Sequence, residues 1–115
     1  MMQAASLDSA FAALSDPTRR ALLARLAQGE ATVLQLAEPF AISQPAISRH
    51  LKVLETAGLI ARRVEGTKRP CRLAPEGMQG IEQWLAMLRK GLERSYGRLD
   101  QVLADLQSES EKETR

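Results

Sequence analysis

One stretch constrains the fold more than any other: Ser43 to Ile60, SQPAISRHLKVLETAGLI. Ser43 is a good N-cap, because its side-chain oxygen can accept from an otherwise unpaired backbone N–H two or three residues on. Pro45 falls in the first turn, where a missing N–H costs little. Ile47, Leu51 and Leu54 recur at spacings of 4 and 3, which places them on one helical face. Gly58 follows the last periodic residue, at the left-handed position that closes many helices. The opposite face carries Gln44, Ser48, Arg49 and Lys52. Amides, hydroxyls and cations together suit phosphates and base edges. The stretch is therefore predicted to be a capped helix that buries one face and offers the other to DNA.

The residues before it supply what this helix packs against. Leu7, Ala10, Phe11 and Leu14 form a short amphipathic pattern, predicted to start at a Ser6 cap. Ser15-Asp16-Pro17 is a second start signal, with Asp as N-cap and Pro at the first helical position. Leu22, Leu23 and Leu26 turn inward there and Arg19, Arg20 and Arg25 outward; Gln28-Gly29 ends the segment. Thr32 to Gln35 reads T-x-x-Q, a capping box that opens a short helix from Val33 to about Glu38. Its inner residues are Val33, Leu36 and Ala37. Pro39 biases Glu38 away from helix, and Phe40-Ala41-Ile42 makes a tight turn into Ser43. Two helices joined by so short a turn form a helix-turn-helix.

Leu59 to Val64 has strand-forming residues, Glu65-Gly66-Thr67 is a turn signal, and Cys71-Arg72-Leu73 can return. Pro70 is tolerated at a strand start or on an edge, so a two-stranded ribbon with little else paired to it is expected. Arg62, Arg63, Lys68, Arg69 and Arg72 make this hairpin basic, as suits a wing over the phosphate backbone or minor groove.

Pro75-Glu76 opens the last helix. Ile81, Leu85, Leu88, Leu92, Ser95, Leu99, Val102 and Leu106 alternate spacings of 4 and 3, a heptad seam with one polar lapse at Ser95. Trp84, Tyr96 and Leu103 widen the stripe. A helix from Glu76 to Leu106 would be ~45 Å long, more than is needed to cover a domain of this size. A second copy is the simplest partner for the surplus seam. Gly91 and Gly97 weaken the helix intrinsically. Residues 1–5 and 109–115 are expected to be disordered, and 1–115 to be a single domain.

Charge is distributed in the way this reading requires. The net charge is +2, but residues 43–72 alone carry 7 cations and 2 acids. Aromatics are only 3% of the chain, so Leu, Ile, Val and Ala must fill the core. One cysteine excludes an intrachain disulfide framework and fits a reducing cytoplasm. No apolar run approaches the ~18 residues of a membrane span, and MMQAASLDSAF lacks the features of a secretory signal. A cytoplasmic protein is expected.

LSDPTRRALLARL, then TVLQLAEPFAISQPAISRHLKVLETAGLI, then the basic hairpin, resembles the ArsR-type winged-helix transcriptional repressors. The similarity runs over residues 7–106. It implies a mainly α fold with a small β-hairpin, a winged helix-turn-helix whose N- and C-terminal helices form a homodimer interface. In this sequence those faces are Leu7, Phe11 and Leu14, then Trp84, Leu85, Leu88, Leu92, Tyr96, Leu99, Val102, Leu103 and Leu106. It further implies a double-stranded operator with two-fold symmetry, usually near the gene's own promoter. Metal-sensing members carry a Cys-x-Cys pair on the third helix, where this chain has Val33-Leu34-Gln35-Leu36-Ala37, or Asp, His and Glu ligands on a last helix that here has no His. Only Cys71 and His50 are available, on different elements, whereas a closed thiolate or imidazole site needs about four ligands. No metal and no cofactor is expected, and the sequence does not name an effector.

The predicted DNA contacts are Gln44, Ser48 and Arg49 on bases or flanking phosphates, Ser43, His50 and Lys52 mostly on phosphates, and Arg62, Arg63, Lys68 and Arg69 in the wing. His50 has a competing role as a structural histidine, and Cys71 as a small packed residue. No Gly-rich phosphate loop or paired-carboxylate site argues for an enzyme. The alternative is a winged-helix protein-interaction module without specific DNA readout. It would call for an apolar or acidic recognition face in place of Gln44, Ser48, Arg49 and Lys52.

Overall fold

The computed structural model describes residues 4–113. The elements are α1 (Ala4–Leu14), α2 (Pro17–Leu26), α3 (Val33–Ala37), α4 (Gln44–Thr56), β1 (Ile60–Arg62), β2 (Cys71–Leu73) and α5 (Pro75–Glu113). Two compact units divide between Ile81 and Glu82.

In the first unit the helix starts follow the local chemistry. The Asp16 carboxylate accepts from the Arg19 backbone N–H at 3.0 Å, with Pro17 at the first helical position. Thr32 and Gln35 satisfy each other's backbone donors at 3.3 and 2.8 Å. The Ser43 hydroxyl accepts from the Ala46 N–H at 3.3 Å. At the far end of α4, Gly58 takes φ +78°, and the Leu59 and Gly58 N–H groups reach back to the Leu54 and Glu55 carbonyls, both at 3.0 Å. That pair of bonds is the Schellman closure, and it turns the chain straight into β1.

The core lies among α1–α4 and the hairpin. Leu22, Leu36, Ile47, Leu51, Leu54, Leu59 and Cys71 are fully buried in it. Each buried Leu or Ile contributes about 1.5–3 kcal/mol relative to exposure. The inner faces of α2, α3 and α4 are those their spacing indicated. β1 and β2 pair antiparallel, with Ile60 opposite Leu73 and Arg62 opposite Cys71. The start of α5 is seated by contact: a Cβ on Gly77 would lie 1.9 Å from the Gly58 carbonyl oxygen.

Several boundaries differ from those the sequence suggested. α1 begins at Ala4, so Ser6 lies inside the helix rather than capping it, and residues 4 and 5 are helical; Ala4 and Ala5 are strong helix formers. α5 runs past Leu106 to Glu113, so residues 109–113 are helical rather than disordered. No Gly or Pro interrupts that stretch, and the Gln101 amide supports the helix before it through a 3.0 Å bond to Asp105. Residues 1–3 and 114–115 lie outside the described residues. The hairpin is also less isolated than expected, because Ala31 exchanges two backbone hydrogen bonds with Cys71, at 2.8 and 3.1 Å. Ala31 is small enough to be buried against β2, which the sequence alone does not reveal.

The second unit is the remainder of α5. Leu85, Leu88, Leu92, Tyr96, Leu99, Val102, Leu103 and Leu106 are each 47–58% exposed along it, and Trp84 36%. Ser95 turns its hydroxyl back to the Gly91 carbonyl at 3.2 Å. Among the described residues, no helix is long and apolar enough to cross a membrane.

Candidate nucleic-acid interface

α4 owes its outward face to the burial of Ile47, Leu51 and Leu54, which fixes its rotation about its axis. Gln44, Arg49 and Lys52 are consequently exposed and Ser48 half-buried. Neither Gln44 nor Arg49 has a side-chain partner among the described residues. Lys52 sits 3.8 Å from Glu55 and is 74% exposed, so that pair holds it only weakly. Ser43 is exposed, with its hydroxyl committed to the cap.

His50 is placed differently from its neighbours. Its Nδ1 lies 3.4 Å from Arg19 Nη1 and 3.9 Å from the Asp16 carboxylate. Arg19 is itself held, donating from Nε to the Ala13 carbonyl at 2.6 Å and from Nη2 to the Ala12 carbonyl at 3.2 Å. The Arg19 backbone N–H, helped by His50, holds the Asp16 carboxyl below the usual carboxylate range. One edge of the His50 imidazole thus ties α4 to the cap of α2.

The wing divides its cations into two groups. At the tip, Gly66 (φ +62°) lets Glu65 and Lys68 exchange backbone hydrogen bonds at 2.9 and 3.0 Å. Lys68 and Arg69 are exposed there, and Arg69 donates to the Lys68 carbonyl at 3.1 Å. At the base, Arg63 grips Glu30 through both Nε, at 3.2 Å, and Nη2, and it also meets Glu65 at 3.0 Å. That hydrogen bonding lowers the Glu30 pKa and raises that of Arg63. Arg62 Nε is buried without a hydrogen-bond partner, 3.8 Å from Glu55. Arg62 and Arg63 are therefore engaged inside the protomer, whereas Lys68 and Arg69 face outward. The sequence reading missed Glu30 and Glu55 as partners; no local signal links them to the wing.

A groove of about 380 Å³ joins the two parts of this surface. Gln44 from the first turn of α4 lines it together with Lys68 and Arg69, and Thr32, Val33, Leu34 and Thr67 complete its lining. None of these last four was named as a DNA contact from the sequence. Leu7 and Leu14 of α1 are half-buried against the protomer's own core, as Phe11 is half-buried on the same helix.

Among the described residues, no three His, Cys, Asp or Glu side chains come together to hold a metal. Burial pushes the Cys71 thiol up, away from the thiolate a metal requires. On α3, Gln35 is committed to its capping box.

A capped recognition helix, the short helix before it and a hairpin with a cationic tip together define a winged helix-turn-helix DNA-binding protein. A family model for the helix-turn-helix domain matches residues 14–63. The chain is 46% identical over 93 residues to the HTH-type transcriptional regulator Rv2034 of Mycobacterium tuberculosis, covering 81% of this chain and 80% of that protein. It is 35% identical to the arsenical resistance operon repressor of Staphylococcus xylosus, over 71% of this chain and 79% of that one. Among solved structures, an ArsR family transcriptional regulator superposes with a TM-score of 0.70 at 41% identity, over 76% of this chain and 97% of its own. The homodimeric winged helix-turn-helix DNA-binding domain of Mb0332 from Mycobacterium bovis superposes at 0.61 and 27% identity, over 74% and 79%. The chain belongs to the ArsR family of winged helix-turn-helix transcriptional regulators.

Proposed function

We propose that this chain is a homodimeric, autoregulatory repressor that binds a palindromic operator in the cytoplasm, by binding alone and without a metal. The observation that carries the reading is the outward set Gln44, Ser48, Arg49 and Lys52 on α4, continued by Lys68 and Arg69 across one groove. Gln44 and Arg49 have the chemistry to read base edges, and Ser43, Ser48, Lys52, Lys68 and Arg69 to hold phosphates. The half-exposed stripe of α5 is one face for a second copy, and Leu7, Phe11 and Leu14 of α1 are another. Two copies related by a two-fold axis would meet half-sites ~10 bp apart, centre to centre. The homodimeric neighbour from M. bovis supports the assembly, and the 43% identity to the transcriptional repressor SdpR of Bacillus subtilis supports repression. The whole chain then serves as one DNA-binding domain with its dimerisation helix.

A gel shift on the DNA upstream of its own gene, across a salt series, tests this. Affinity should exceed that for random DNA at every salt concentration; equal affinity rejects specific readout. Arg49→Ala should cost ~1–3 kcal/mol of operator binding while sedimentation still reports the dimer.

A further inference from the structure

On the other flank of α4, away from Gln44 and the wing, α1 and α4 leave a trough of about 420 Å³ between them. This is within the ~300–1,000 Å³ range of small-molecule sites. It exists because the facing side chains are short: Ala12 and Ala13 of α1 stand across from Val53 and Thr56 of α4 and its C-cap Ala57. Val53, 41% exposed, lies along it, so the trough is walled mostly by apolar atoms.

Its charged lining is of one sign. Arg19 and Lys52 both border the trough, and no acid does. Arg19 is anchored by the Ala12 and Ala13 carbonyls, so its guanidinium is held in place before any ligand arrives. Its neighbour Asp16 is occupied by the α2 cap and His50, and Glu55 is shared between Lys52 and Arg62. A preorganised guanidinium and a flexible ammonium at the edge of an apolar trough complement a carboxylate on a short apolar body. At ~100° per residue, Ser9 and Ala12 lie ~160° around α1 from the Leu7, Phe11 and Leu14 face. A second copy docked on that face alone would approach α1 from the side opposite Ser9 and Ala12.

We propose that the α1–α4 trough binds a small amphiphilic carboxylate, and that the bound acid draws Lys52 away from DNA phosphate. The site is an effector site; that second half rests on the DNA-binding reading above.

Titration calorimetry with octanoate, and with 1-octanol as the uncharged control, tests the site on the full chain without DNA. One octanoate per protomer should bind, with octanol at least tenfold weaker. Lys52→Gln should remove most of that difference, and Ala12→Leu, which fills the trough on an exposed helical position, should abolish both. Circular dichroism checks that each variant is folded. No binding of octanoate, equal binding of octanol, or undiminished binding by folded Ala12→Leu overturns the site. In the DNA arm, octanoate should weaken operator binding by the wild type and leave Ala12→Leu unaffected. Octanoate binding that leaves operator affinity unchanged overturns the effector role. Octanoate binding by a chain with no operator preference overturns the DNA-binding reading and leaves the site standing.

Discussion

Arg62, Arg63, Lys68 and Arg69 are four cations on one hairpin, and surroundings rather than charge separate their roles. Arg63 forms a forked pair with Glu30, while Lys68 has no acid against its side chain among the described residues. A phosphate approaching Arg63 must displace a carboxylate; one approaching Lys68 displaces only water and salt. Lys68→Ala should therefore lower DNA affinity and reduce the slope of log affinity against log salt by about 1. Arg63→Ala should leave that slope unchanged. Equal loss of slope in the two variants would place Arg63 on the DNA instead. The same ion pairs set the acid behaviour. Asp16 and Glu30 have depressed pKa values in the folded chain, through the Arg19 backbone N–H and the Arg63 guanidinium respectively. Their stabilisation is present above the unfolded carboxylate value of ~4 and is lost as pH falls through the lower folded values. Thermal melts in an acid series should drop below that pH, and less steeply in the Asp16→Asn, Glu30→Gln double variant. The effect should be modest, since Glu30 and Arg63 are exposed and Asp16 is only half-buried.

At the scale of elements, α5 tests how a backbone contact fixes a helix. A methyl on Gly77 would meet the Gly58 carbonyl oxygen at 1.9 Å, and that oxygen belongs to the turn that closes α4. Gly77→Ala should therefore shift the first turn of α5 and lower stability by ~1–3 kcal/mol. Gly97, with nothing within 4 Å of its added methyl, should instead gain up to ~1 kcal/mol on becoming Ala. Paired thermal melts check both signs, and a Gly77→Ala melt equal to wild type would remove the contact from the account. This also marks what the sequence could disclose. The caps at Asp16, Thr32 and Ser43 and the inner faces of α2 to α4 were legible because each is decided within one or two turns. The Gly58–Gly77 contact, the Ala31–Cys71 bridge and the Arg63–Glu30 pair join residues far apart in the chain, the last by 33 positions. No local pattern announces such pairings. Hence the exposure of Gln44, Arg49, Lys52, Lys68 and Arg69 followed from local pattern, while Arg62 and Arg63 were assigned to DNA without sight of their acids. The α1–α4 trough is the same kind of feature, since short side chains become a cavity only when two helices are brought together.

For the whole molecule, the decisive quantity is the apolar surface that one copy leaves unburied. Leu85, Leu88, Leu92, Leu99, Val102 and Leu106 are each about half exposed at heptad spacing, so a lone chain would carry a continuous apolar stripe in water. In the proposed homodimer, pairing two copies would remove that surface from solvent and make operator binding bivalent, with a gain of ~10²–10⁴ over one recognition helix. Dimerisation and operator affinity are then one linked equilibrium. Leu99→Asp places a charge in the stripe, where a second copy would bury it unpaired. Sedimentation should report a monomer at concentrations where the wild type is dimeric, with the helical signal retained because Leu99 buries nothing in its own protomer's core. Operator affinity should fall by at least tenfold, and raising the protein concentration should restore part of it. Ser95→Leu acts in the opposite direction: it fills the one polar lapse in the seam and releases only the bond to the Gly91 carbonyl, so its dimer should dissociate at lower concentration than wild type. If Leu99→Asp stays dimeric, or turns monomeric without losing operator affinity, α5 is not what holds the two recognition helices in register.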